Sequence, residues 1–174
     1  MFKIFSLLIL SLYLNASSLV LQQGDINAQT DVTLKGLIDI KTSDLSSTIT
    51  MDESMNSIRG YVSLKSFSLK SDDKDRDVNM YELLQSKLHP FISFKFKEIE
   101  KLDNKFIIKG TLFLNGLNRD IESTAHIVDN DSKLMINGKF SILLTDFNME
   151  PPSILFLDVR NKIDVDYNLN YKKD

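Results

Sequence analysis

The stretch Lys162–Lys172 constrains the fold more than any other part of the chain. Ile163, Val165, Tyr167, Leu169 and Tyr171 alternate there with Lys162, Asp164, Asp166, Asn168, Asn170 and Lys172. Successive side chains of a β-strand point to opposite faces, so this segment carries one apolar and one polar face. The same period of two recurs upstream. Ile136, Gly138, Phe140, Ile142 and Leu144 share a face, as do Phe106, Ile108, Gly110, Leu112 and Leu114. Ile92, Phe94 and Phe96 alternate with Ser93, Lys95 and Lys97. Nearer the start, Val32, Leu34, Ile38 and Ile40 are in phase, and so are Ile58, Gly60, Val62 and Leu64.

Short turn formers separate these runs. Leu102-Asp103-Asn104 separates two strands at hairpin spacing, Asn115-Gly116 follows one strand, and Asp129-Asn130-Asp131-Ser132 separates two more; Asn and Asp tolerate left-handed backbone. About eight short strands with close turns predict an antiparallel meander. Eight such strands can close into a barrel, which removes exposed edges. Only Val78–Lys87 departs from the pattern: Met80, Leu83 and Leu84 fall at helical spacing, with Asp77 as N-cap and Pro90 as terminator. The reading is all-β, a closed antiparallel eight-stranded barrel with one short helix, about residues 78–87, at one end. In a barrel such an insertion sits as a lid or plug.

Met1–Ser18 has the layout of a secretory signal peptide: Lys3, then the apolar run Ile4–Leu14, then small residues Ala16-Ser17-Ser18. The run is too short for a membrane-spanning helix, which needs about 20 apolar residues. No later stretch is apolar enough to span a membrane as a helix. Residues 19–174 are thus expected as one exported, periplasmic barrel domain.

Composition excludes several functions. The net charge of −3 leaves no basic excess for binding nucleic acid. Cys is absent, which removes disulfides, thiolate nucleophiles and Cys-ligated zinc. Two His residues, His89 and His126, do not make a multi-His metal site. Asp72, Asp73 and Asp75 lack the Gly and Glu of a calcium loop and read as a solvated loop. There is no nucleophile elbow, P-loop or dinucleotide fingerprint, so no enzyme is expected.

The polar faces carry Lys95, Lys97, Asp164 and Asp166, and most runs are shorter than the roughly 9–11 residues of lipid-facing strands. The apolar side therefore faces inward. Such a barrel either fills its interior with side chains or keeps a cavity for one ligand. The expected lining is Ile92, Phe94 and Phe96 from one strand and Phe106, Ile108, Leu112 and Leu114 from the next. Phe140, Ile142, Leu144, Phe147 and Tyr167 complete it. Arg76, Asp77, Asn79 and Met80, beside the helix, are the candidates for the mouth.

An ordered series of motifs resembles the YceI-like domain family. Arg76-Asp77-x-x-Met80 precedes His89-Pro90-Phe91-Ile92-Ser93-Phe94, a proline leading into an alternating strand. Gly110-Thr111-Leu112-Phe113-Leu114-Asn115-Gly116 is similar to the family's G-x-L-x-L-x-G strand and turn. Gly138-Lys139-Phe140 is followed by Thr145-Asp146-Phe147-Asn148-Met149-Glu150-Pro151-Pro152, which resembles T-D-F-G-x-x-P-P with Asn148 in place of Gly. Residues 19–75 match the family's opening less well. The resemblance implies an exported lipocalin-like barrel that holds a polyisoprenoid or isoprenoid quinone and requires no other cofactor. A homodimer is compatible with it. The alternative is a filled barrel serving as an interaction or stress-response module without bound lipid.

Overall fold

The computed structural model describes residues 17–32, 36–52, 54–154 and 157–173. Its strands are β1 (Ser17–Val32), β2 (Gly36–Thr42), β3 (Leu45–Met51), β4 (Arg59–Lys65), β5 (Phe91–Leu102) and β6 (Lys105–Leu114). They continue with β7 (Leu117–Asp129), β8 (Lys133–Leu143), the two-residue β9 (Ser153–Ile154) and β10 (Leu157–Asp158), and β11 (Lys162–Lys173). One helix, α1 (Lys74–Leu83), lies between β4 and β5. Each strand from β3 to β8 pairs antiparallel with the next, β11 follows β8, and β11 also pairs β1 along Leu19–Gln29. That last pairing closes an eight-stranded barrel with β2 as an additional strand.

β2 and β3 are two halves of one path. Val32 lies opposite Gly36, Ile26 opposite Thr42 and Leu19 opposite Ile49, a single register along β1. Between the halves the ladder is open, and the Leu45 side chain packs over Gly24, Cδ1 lying 2.7 Å from where a Cβ would stand. The run Val32–Ile40, in phase as a sequence, is divided between β1, which ends at Val32, and the antiparallel β2, which begins at Gly36; Leu34 lies outside the described residues. β1 itself hides its pattern because a bulge at Gln22 shifts the register between Leu21 and Gln23. The extra residue moves the inward set from odd to even positions.

The turns follow local chemistry. Asn115 (φ 50°) and Gly116 (φ 75°) make a two-residue type I′ turn, whose twist matches that of the flanking strands. Asn130 accepts through Oδ1 from the N–H of Ser132 and of Lys133 and so turns β7 into β8. Asn148 sits at φ 55°, a left-handed position open to Asn as well as Gly.

The helix starts four residues before its expected position. Both Asp73 and Asp77 are cap residue types, but Asp73 is the extended one and accepts from the N–H of Asp75 and Arg76 at 2.9 and 3.1 Å. Asp77 lies within the helix, buried, and accepts from the N–H and hydroxyl of Ser71 at 2.7 and 2.8 Å. Termination precedes Pro90. Gln85 (φ 47°) and Ser86 donate back to the carbonyls of Glu82 and Tyr81, a Schellman ending with Gln where Gly is usual.

The core is packed at the end holding the β5–β6 and β7–β8 turns. Ile58, Ile108, Leu134 and Ile136 are fully buried there, with Ile99 and Tyr171 beside them. The expected signal peptide lies outside the described residues, apart from Ser17 and Ser18, which begin β1 opposite Met51 and Thr50. No helix among the described residues is long and apolar enough to cross a membrane.

Candidate functional site

At the opposite end the barrel is hollow. A cavity of about 860 Å³ occupies the lumen between the packed core and α1. This lies in the upper part of the range of about 300–1,000 Å³ usual for ligand pockets. Its walls are the inward sets of the strands: Ile26 and Ala28 of β1, Leu64 of β4, Ile92 of β5, Leu112 and Leu114 of β6, Phe140 and Ile142 of β8, and Ile163 and Val165 of β11. Met80 and Leu83 of α1 and its C-cap Leu84 close over it, together with Leu144, Met149 and Val159. The lumen is not filled at this end, as the alternative without lipid would require.

Two glycines shape the floor. The far edge of the Phe94 ring lies over Gly110, so close that a Cβ there would be 2.2 Å from Phe94 Cζ and 2.4 Å from the Lys95 carbonyl oxygen. The Tyr167 ring lies over Gly138 in the same way, 2.3 Å from Oη to a would-be Cβ. Phe94 meets Phe96 edge-on at 5.1 Å, and Phe140 is tilted against Tyr167 at 6.2 Å. Within this apolar floor sits one polar pair. The Tyr167 hydroxyl is 2.8 Å from Ser123 Oγ, and Ser123 donates to the Lys139 carbonyl at 3.1 Å. Burial pushes the Tyr167 phenol up to about 12, partly offset by its hydrogen bond with Ser123. Burial likewise raises Tyr171, which pairs with Ser47 at 3.0 Å in the packed end.

The charged residues on the cavity belong to its rim at α1: Asp73, Asp75, Arg76 and Glu82, with the polar Asn79 between them. Arg76 pairs with Asp72 one turn away. Among the described residues no group of three or more His, Asp or Glu could hold a metal ion.

Ile92, Phe94, Phe96, Leu112, Leu114, Phe140, Ile142, Leu144 and Tyr167 all face the cavity, and Arg76, Asn79 and Met80 stand at its rim. Four expected residues do not. Phe106 and Ile108 have the inward phase but belong to the packed end. Phe147 is buried beside the β6–β7 turn, where Asn115 Nδ2 donates to its carbonyl at 2.9 Å. Asp77 points away, toward Ser71. Sequence reasoning missed Ile26 and Ala28, masked by the bulge, and Met149 and Val159, which lie in irregular chain. Ile163 and Val165 were on the recognised face of the last strand but were not carried into the site.

A closed antiparallel barrel, packed at one end and hollow and apolar at the other, defines a protein built around an internal apolar cavity. The chain belongs to the YceI-like domain family, whose profile matches residues 20–171. No curated protein matches the sequence. Among solved structures the fold is similar to that of Burkholderia cenocepacia BcnA, with TM-score 0.74 and 14% identity, covering 84% of this chain and 95% of that one. It is similar to a polyisoprenoid binding domain from Saccharophagus degradans, with TM-score 0.70 and 14% identity, over 91% and 98% of the two chains. Campylobacter jejuni YceI protein aligns with TM-score 0.63 and 22% identity, over 75% and 82%.

Proposed function

We propose that this protein holds a long apolar molecule, a polyisoprenoid or an isoprenoid quinone, in its barrel for carriage or storage in the periplasm. The apolar cavity of about 860 Å³ carries this reading. Burying one methylene contributes roughly 0.8 kcal/mol, so a few isoprene units offset the ordering cost of binding without a strong polar contact. Arg76 and Asn79 at the rim are placed to meet a polar end group emerging beside α1. Family membership and the likeness to a polyisoprenoid binding domain support the ligand class. Residues 1–18 supply the export signal.

Native mass spectrometry of protein purified from its own host tests the proposal. A bound species lost on organic extraction, with the mass of an isoprenoid, is expected. Protein that is empty as purified, and that takes up no polyprenol from vesicles, would refute it.

A further inference from the structure

The wall of the cavity is hydrocarbon almost everywhere below its rim, yet its floor carries two hydroxyls. Ser123 is 2% exposed and its Oγ is already committed as a donor to the Lys139 carbonyl at 3.1 Å. Tyr167 must then donate to Ser123 across their 2.8 Å contact. A hydroxyl has one donor and two acceptor positions. The relay therefore satisfies every proton and leaves Tyr167 Oη with acceptor capacity and, among the described residues, no further hydrogen-bond partner. Gly138 beneath the ring fixes where that oxygen lies, since even a methyl group there would collide with it. If Ser123 instead turns its proton to Tyr167, the phenol O–H becomes free to donate. One pair can thus meet either a donor or an acceptor.

A buried polar pair in an apolar floor is an inefficient way to fill space, because Phe and Ala would bury the same surface without desolvating two hydroxyls. We infer that the floor is an inner polar subsite, in which the Tyr167 hydroxyl, held by its pairing with Ser123, takes a neutral hydroxyl or carbonyl on the end of the apolar ligand that enters first. The surroundings select neutrality: Phe94, Phe96, Phe140 and Leu169 line the same end, and among the described lining residues the charged ones are Asp73, Asp75, Arg76 and Glu82 at α1, so none is there to compensate a carboxylate or phosphate. Ionic head groups stay at the rim, whereas a neutral one can be drawn to the bottom. The inference rests on the cavity binding apolar chains, but not on the contacts proposed at its mouth.

Displacement of the fluorescent probe N-phenylnaphthylamine by dodecanol and by dodecane separates the two. Each ligand is compared across wild type, Tyr167→Phe and Ser123→Ala, so that differences in aqueous solubility cancel. Tyr167→Phe should weaken dodecanol by up to about tenfold, the worth of one hydrogen bond, and leave dodecane unchanged. Ser123→Ala should bind dodecanol as well as wild type or better, because it frees the phenol proton for the ligand. Equal effects of Tyr167→Phe on both ligands, or no effect on either, would overturn the subsite while leaving the cavity intact. Failure of wild type to bind even dodecane would overturn the cavity reading and the subsite with it. Loss of dodecanol binding in Ser123→Ala, with dodecane retained, would also refute the assignment of Tyr167 as the group that meets the ligand.

Discussion

Replacing Ile142 by Trp separates a hollow barrel from a filled one. Ile142 is half-buried on β8 and borders both Leu144 and the open lumen. In a close-packed interior an enlarged side chain forces neighbours off their rotamers and costs about 1–3 kcal/mol. Here the indole can extend into a space of about 860 Å³, so the folded barrel should lose less than about 1 kcal/mol. The ligand pays instead. If the ring excludes a single five-carbon isoprene unit, about 4 kcal/mol of hydrophobic contact is removed, an upper bound that still leaves a loss of at least tenfold after discounting. Urea unfolding gives the first quantity and titration with a polyprenol the second. A destabilised variant that binds as well as wild type would refute the reasoning, because it would place Ile142 in packed core remote from any ligand.

Three further outcomes follow from the backbone and the buried phenols. Gly110→Ala should cost about 3 kcal/mol by urea unfolding and reduce ligand uptake, because its Cβ meets both the Phe94 ring and the Lys95 carbonyl. Gln85→Gly should stabilise by about 0.5–1 kcal/mol, raising the melting temperature by about 1–3 °C, because Gln85 holds φ 47° at the end of α1. Tyr167, raised to about 12 from 10.0, keeps its proton in the folded state after the unfolded chain has lost it. Its contribution is therefore complete below pH 10.0 and is lost as pH rises toward about 12, by on the order of 3 kcal/mol. Tyr167→Phe should flatten this alkaline decline in urea midpoints, and an unchanged slope would exclude Tyr167 as its source.

The strands legible in the sequence are those without irregularities. β11 alternates without interruption from Ile163 to Tyr171, and its inward set is the one the pattern names. β1 was illegible because Gln22 resets the phase and because Ala28 and Thr30 stand at inward positions where the eye seeks large apolar groups. The helix was placed late because Asp73 and Asp77 are equally good cap residues by type; only the geometry of Ser71, which occupies Asp77, tells them apart. The candidate site was legible by face and not by height. Period two says that Ile108 and Leu112 point inward, and both do, but it contains no information on how far along the axis each lies. One is in the packed end and the other on the cavity.

What decides height is the pairing of large rings with glycines on the neighbouring strand. An aromatic side chain pointing into a narrow barrel normally stands across the lumen and fills it. Phe94 and Tyr167 approach β6 and β8 closely, because Gly110 and Gly138 offer no Cβ to hold them off. Each ring packs against the buried core and also lines the cavity. Both glycines are visible in the sequence at inward phase, within G-x-L-x-L-x-G and Gly-Lys-Phe, where they look like weak points in otherwise apolar strands. They are better understood as the places where the barrel stops being packed and starts being hollow. A barrel with the same alternation and with Ala at both positions would raise its rings, close its floor upward and shorten the chain it could hold.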